Sequence, residues 1–343
     1  MICCGPELSL FCHPFFWNNN GRKWDNELKA RIQLNDINGN GHSLDNGFVD
    51  YNHMLDDMDL SWYQCDKEDI IDLVECSKNG FEFFTEWAKM QKQNQQKDIY
   101  CEKSPPNIFT IEAFVGLNLN HAGIVTIRNP LDTITSLMKR NISLTSASAI
   151  WICEAKLISH LQKIDSVYIN KYEDLITNTD ENLKKLLKWI GVQGNAKELI
   201  RKIEGKKLSP RRSINKRESI ETWNYSPFEG IKKDGILASI RILSIEQRLA
   251  IRCFKLKKTY MKIYNSKSET ISEVANYFGY DYKNYFVTGE KVTFRKALKA
   301  YFYILSLKID LIRNKPQDLH KRSITISMKI ALRVIAESLI HGV

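Results

Sequence analysis

Arg128 and Ser136 lie eight residues apart, with Asn129, Pro130 and Asp132 between them, and are well placed by type and spacing to hold a phosphate. A guanidinium offers a fork of N–H donors that matches two oxygens of an anion, and a serine hydroxyl adds one more. The stretch HAGIVTIRNPLDTITSLMKR, residues 121–140, indicates what must position them. Ile124 to Ile127 is a short apolar, β-branched run, which predicts a buried parallel strand ending at Arg128. Asn129 is a good helix cap, and Pro130 fits the first helical position, where no N–H is needed. Apolar residues then recur at helical spacing, with two basic residues in the last predicted turn. Strand, tight turn and helix follow one another, with the arginine at the strand's carboxyl end. Open α/β sheets bind ligands there, and a helix start there favours anions. Ser136 is about two turns into the helix, so its hydroxyl can join Arg128 on one phosphate. The competing reading is a plain strand–helix unit whose arginine pairs with a carboxylate. On this segment alone neither reading prevails.

A second pair of chemical groups stands at another predicted strand end. Asp98 to Cys101 is a strand candidate that runs into EKSPPN, residues 102–107, where the double proline ends regular structure. Glu102 and Lys103 therefore face the same crevice as Arg128 if the sheet is parallel. The alternative for Lys103 is a surface lysine beside two prolines.

The remaining elements fit this arrangement. Residues 67–94 carry apolar residues at i, i+3 and i+4 and predict one or two helices. Residues 146–163 predict a helix centred on Trp151, and Asp165 to Asn170 a third strand followed by KYEDL. A helix capped by Asn178 or Thr179 comes next, stopped at Gly191. Tyr172, Glu173 and Asp174 read as bracing for the strand–helix turn. Residues 206–229 form a basic loop with Trp223. Helices are expected over about 236–257 and 268–281, the latter ending at Gly279. Alternating strands and helices predict an α/β fold with a parallel sheet flanked by helices. Residues 1–60 show little pattern, and their NGNG lacks both a preceding strand and a following G-K-[S/T].

Composition narrows the classes. The 343 residues are 43% hydrophobic and 26% charged, as in an ordinary globular chain. The formal charge is +10, but residues 290–343 hold eleven Lys/Arg against four Asp/Glu, so most of the excess lies in that tail. A basic nucleic-acid groove across the main domain is not indicated. The tail's two basic amphipathic helices, 293–312 and 321–340, read as packed elements, with docking on an anionic membrane or acidic partner as the alternative. The eight cysteines are scattered, which argues against a zinc site or a disulfide framework; a Cys3/Cys4/Cys12/His13 cluster is a weak metal candidate. With no eighteen-residue apolar run and no signal-peptide layout, the expected location is the cytoplasm.

Taken together, these segments resemble the sulfotransferase family, in its bacterial and carbohydrate-acting branch, over roughly residues 5–285. The 128–136 stretch matches the 3′-phosphate signature R-[D/N]-P-x-D-x-x-x-S, and EKSPPN matches E-K-[T/S]-P-x-N. VYINKYEDL with LKKLLKWIGV resembles the family's strand–Y-E-D-L–helix, SINKRESIETW its closing loop, and NYFGYD its last helix with L-G-Y. ELSLFCHPFFW resembles the region after its first helix.

The resemblance implies a P-loop-NTPase-like sulfotransferase fold over 1–285, with a helical extension over 286–343. It implies transfer of a sulfuryl group from 3′-phosphoadenosine-5′-phosphosulfate to a hydroxyl or amine, for instance of a carbohydrate. Arg128 and Ser136 would hold the 3′-phosphate, Lys216 or Arg217 would close over it, and Lys103 would sit near the sulfuryl group. Near the family's usual glutamate base stands His13; it titrates in the right range, though a histidine packed beside Pro14, Phe15 and Phe16 is the simpler reading.

One departure bears on activity. The loop G-x-x-[R/K]-[S/T]-G-[S/T]-[T/S] that grips the 5′-phosphosulfate has no counterpart in the sequence, and the first strand of the fold is expected to be missing with it. Three expectations follow: a reading frame that starts late in a normal enzyme, an inactive remnant, or a protein that binds the nucleotide without transfer. A kinase-type transferase is disfavoured by the absent G-K-[S/T] and the absent acidic metal pair.

Overall fold

The computed structural model describes residues 2–4, 11, 63–117, 120–139, 142–205, 242–255, 269–280 and 298–299. They divide into two units, Met1–Gly123 with Ile164–Tyr168, and Ile124–Lys163 with Ile169–Val343.

In the first unit, helix starts are set by side-chain caps. α1 (Lys67–Cys76) begins with a capping box, in which the Asp66 carboxylate accepts from the Asp69 N–H and the Asp69 carboxylate from the Asp66 N–H. α2 (Gly80–Asn94) begins at Asn79, whose side chain accepts from the Glu82 N–H. The apolar spacing of 67–94 thus resolves into two helices. Their inner faces bury Ile70 and Val74, and Phe83, Phe84 and Trp87, around Phe11 and Tyr63. Burial of side chains this size stabilises by about 1.5–3 kcal/mol each. β1 (Ile2–Cys4) runs parallel to β2 (Ile99–Cys101), with Ile2 opposite Ile99 and Cys3 opposite Tyr100. The Trp87 Nε1–H donates to the Tyr100 hydroxyl at 2.8 Å, tying α2 to this sheet. β1 falls within the weakly patterned residues 1–60, and three residues are too few to display a period. A 3₁₀ turn (Pro105–Phe109) and α3 (Ile111–Leu117) follow β2.

β3 (Gly123–Ile127) and β4 (Val167–Lys171) pair in a second sheet. β3 alternates: Val125 and Ile127 are buried, whereas Ile124 is 44% exposed. The run expected to be buried throughout is therefore covered on one face, because successive side chains point to opposite sides of a strand.

The second unit is built on helices. α4 (Pro130–Met138) and α5 (Leu144–Leu161) pack together, and α5 buries Ala147, Trp151, Ile152, Ala155 and Ile158. α6 (Tyr172–Thr177), α7 (Thr179–Trp189) and α8 (Ala196–Gly205) follow β4. α9 (Ile245–Cys253) and α10 (Ile271–Tyr277) both start in capping boxes, Ser244 with Gln247 and Thr270 with Glu273, and both pack on α5. The end of α4 differs slightly from expectation, since Lys139 is its C-cap, just past the last turn. Asn178 occupies the N-cap position of α7 without a side-chain cap bond; the Asn182 amide instead donates to the carbonyls of Asp174 and Asn178.

The architecture is α/β, mostly helical with small sheets. The loop 206–229 and the boundary at 285/286 lie outside the described residues, as do the C-terminal helices apart from 298–299, which are helical. Among the described residues no helix is long and apolar enough to cross a membrane.

Candidate functional site

β3 ends at Ile127 and α4 begins at Pro130, so two residues make the whole turn. Asn129 shapes it. Its Oδ1 accepts from the Asp132 N–H at 2.9 Å, and its carbonyl accepts from the Thr133 hydroxyl at 2.9 Å. Its amide then links two carboxylates, donating to Asp132 Oδ2 at 2.6 Å and to Glu173 Oε1 at 2.9 Å. The backbone N–H of Asn129 also donates to Glu173 Oε1, at 2.9 Å. Asn129, Asp132 and Glu173 are all buried, so water cannot substitute for these bonds.

Arg128 is the polar group that this turn presents outward, with 29% of its side chain exposed. Contacts on several sides fix it. The Arg128 carbonyl accepts from the Trp151 Nε1–H at 3.0 Å, one guanidinium nitrogen lies 3.7 Å from Asp132 Oδ2, and the guanidinium carbon sits 4.7 Å from the centre of the Tyr172 ring. Ser136 is half-buried on α4, one turn beyond Asp132 on the same stripe of the helix. Arg128 thus lies in the turn before α4 with its guanidinium facing Asp132, and Ser136 lies one helical turn beyond that aspartate. The arginine does pair with a carboxylate, as the plainer reading expects, yet it keeps a solvent-facing side. A preordered cation at a strand's carboxyl end beside a helix start can receive an anionic oxygen without first losing side-chain freedom.

Glu102 and Lys103 belong to the first unit. Lys103 is exposed, in the segment between β2 and the 3₁₀ turn. Glu102 is engaged locally: it accepts from the Ser104 hydroxyl at 2.5 Å and from the Asn107 amide. In this motif the glutamate and asparagine therefore shape the turn that presents the lysine. His13, Lys216 and Arg217 lie outside the described residues, as does Trp223.

Cys3 donates its thiol to the Ile99 carbonyl at 3.2 Å, while Cys12 lies outside the described residues. Among the described residues no group of three or more His, Cys, Asp or Glu is arranged to hold a metal ion. Burial pushes the thiols of Cys65 and Cys153 up, to about 12 and about 11, with nearby acidic groups adding to it, so neither is a ready nucleophile.

Sequence reasoning included Tyr280 in the NYFGYD segment but gave it no role in this turn. The Tyr280 hydroxyl donates to Glu173 Oε2 at 2.9 Å and lies 3.3 Å from the Ile127 carbonyl, 153 residues away in sequence. No local spacing signals a contact of that range; the Gly279–Tyr280 pair marked only the end of a helix. Comparison of the chain with protein families, with curated proteins and with solved structures finds no match.

Proposed function

We propose that this chain binds a 3′-phosphorylated adenine nucleotide of the 3′-phosphoadenosine-5′-phosphosulfate class, on a fold of the sulfotransferase type. The observation that carries the reading is Arg128, held by Trp151, Asp132 and Tyr172 in the turn between β3 and the start of α4. These two residues would hold the 3′-phosphate. The co-substrate supplies an activated sulfur, and an acceptor hydroxyl or amine, as on a carbohydrate, attacks it as the bond to the 5′-phosphate breaks. Lys103 would sit near the transferred group, His13 would take the acceptor's proton, and Lys216 or Arg217 would close over the 3′-phosphate.

A second reading is favoured by one feature of the sequence: nothing in it matches the 5′-phosphosulfate loop. On that reading the chain binds the nucleotide without transfer. Calorimetric titration with 3′,5′-ADP tests what both share. Micromolar binding that weakens at least about tenfold in Arg128→Ala is expected, since one charge-assisted pair is worth about that much. A folded chain that does not bind overturns both readings. Radiolabelled sulfuryl transfer to a panel of glycans then separates enzyme from binder.

A further inference from the structure

The turn that carries Arg128 is tied to a distant part of the chain by an unbroken run of buried hydrogen bonds. Tyr280 is 2% exposed, Glu173 8%, Asn129 0% and Asp132 4%. The run leads from the Tyr280 hydroxyl to Glu173 Oε2, from Glu173 Oε1 to the Asn129 N–H and amide, and from that amide to Asp132 Oδ2. Asp132 Oδ2 then faces the Arg128 guanidinium at 3.7 Å. Both carboxylate oxygens of Glu173 are used, and the two amide hydrogens of Asn129 go to the two carboxylates; the Tyr280 hydroxyl, at 2.9 Å from Glu173 Oε2 and 3.3 Å from the Ile127 carbonyl, has the carboxylate as its nearer acceptor. Tyr280 is delivered by Gly279, which leaves α10 at a φ of +72°, and the Lys171 ammonium lies 5.3 Å from the centre of the Tyr280 ring. Removing the tyrosine hydroxyl would leave Glu173 Oε2 one donor short. The carboxylate would then be free to turn, and Asn129 and Asp132 would turn with it.

We propose that Tyr280 is a positioning residue for the anion site, setting the Arg128 guanidinium through Glu173, Asn129 and Asp132. This rests on the reading of Arg128 as the 3′-phosphate ligand. Coupling of this kind makes occupancy of the site depend on how the segment after α10 is seated.

The test uses the full chain and Tyr280→Phe, which keeps the ring and loses the hydroxyl. Two readouts are needed. In protein labelled with ¹⁵N-arginine, the Arg128 Nε–H resonance, identified by its loss in Arg128→Lys, should shift in Tyr280→Phe while the other arginine resonances stay. In calorimetry, affinity for 3′,5′-ADP should fall about tenfold and affinity for 5′-AMP, which lacks the 3′-phosphate, less than about twofold. An unmoved Arg128 resonance overturns the proposal. So does unchanged 3′,5′-ADP affinity in a variant whose wild type binds. If the wild type binds no 3′,5′-ADP but the resonance moves, the nucleotide reading fails and the positioning of Arg128 by Tyr280 stands. Should Tyr280→Phe fail to fold, Glu173→Gln interrupts the same run one step along and is held to the same two readouts.

Discussion

Asn129 does more than cap a helix. An ordinary N-cap uses one side-chain oxygen, and aspartate serves there as well as asparagine. At Asn79, where the side chain accepts only from Glu82, Asn79→Asp should change stability by less than about 0.5 kcal/mol. Asn129 differs because its amide hydrogens join the Asp132 and Glu173 carboxylates. Asn129→Asp keeps the cap but sets a third acidic group against these two in a buried place. It should cost at least as much as Asn129→Ala, about 2–4 kcal/mol from the lost cap and the stranded carboxylates together. Urea midpoints of the four proteins decide this; a silent Asn129→Asp would mean the amide bonds contribute nothing. The cap itself was readable in the sequence, since Asn-Pro before an apolar helical pattern is a local signal. Its second role was not, because Glu173 is 44 residues away and pairing across that distance leaves no trace in spacing. For the same reason YEDL could be read as a brace without showing which group it braces.

At the scale of elements, what was readable follows from where the physics is local. Helix stops are local: Gly191 and Gly279 were expected to end their helices, and both adopt the left-handed backbone, at φ of +70° and +72°. A side chain at Gly191 would meet nothing within 4 Å, so Gly191→Ala should cost only the backbone term, about 1–2 kcal/mol. At Gly279 the added carbon would lie 3.1 Å from the Lys171 ammonium as well. Gly279→Ala should therefore cost more than Gly191→Ala and also shift the ring-current-sensitive resonances of Lys171, which lies over Tyr280. Equal midpoints for the two variants would show that Lys171 yields without penalty. Strands were harder. β2, β3 and β4 were found within two residues because the strand–turn and strand–helix patterns around them mark them, whereas β1 lies in the weakly patterned residues 1–60 and is defined by its pairing with β2. Exposure of Ile124 was also out of reach of a run made wholly of β-branched residues, since such a run reads alike whether one face is covered or two.

For the whole molecule, stability should carry the signature of one acid whose pKa burial raises, Glu154. Glu154 is half-buried on α5, one turn from the Trp151 that holds the Arg128 carbonyl, and burial pushes its carboxyl from the ordinary 4.5 up to about 7. The sign follows from proton counts. Between those two values the folded chain keeps the Glu154 proton and the unfolded chain releases it, so the fold loses stability as pH rises through the window and levels off above it. The loss is at most about 3.5 kcal/mol, at 1.36 kcal/mol for each pH unit between 4.5 and about 7. This runs opposite to the ordinary paired carboxylate, which favours the fold at neutral pH. Glu154→Gln removes the titration while keeping the shape, and every other ionisable group is common to both proteins. The difference between their urea midpoints therefore isolates Glu154. It should be small at pH 5 and grow in favour of the glutamine variant by pH 8. Parallel curves would mean that the carboxyl reaches enough water to ionise normally. A growing difference would mean that the helix packed behind the Arg128 turn tightens when Glu154 is neutral, and that anion binding at Arg128 should be compared at both pH values.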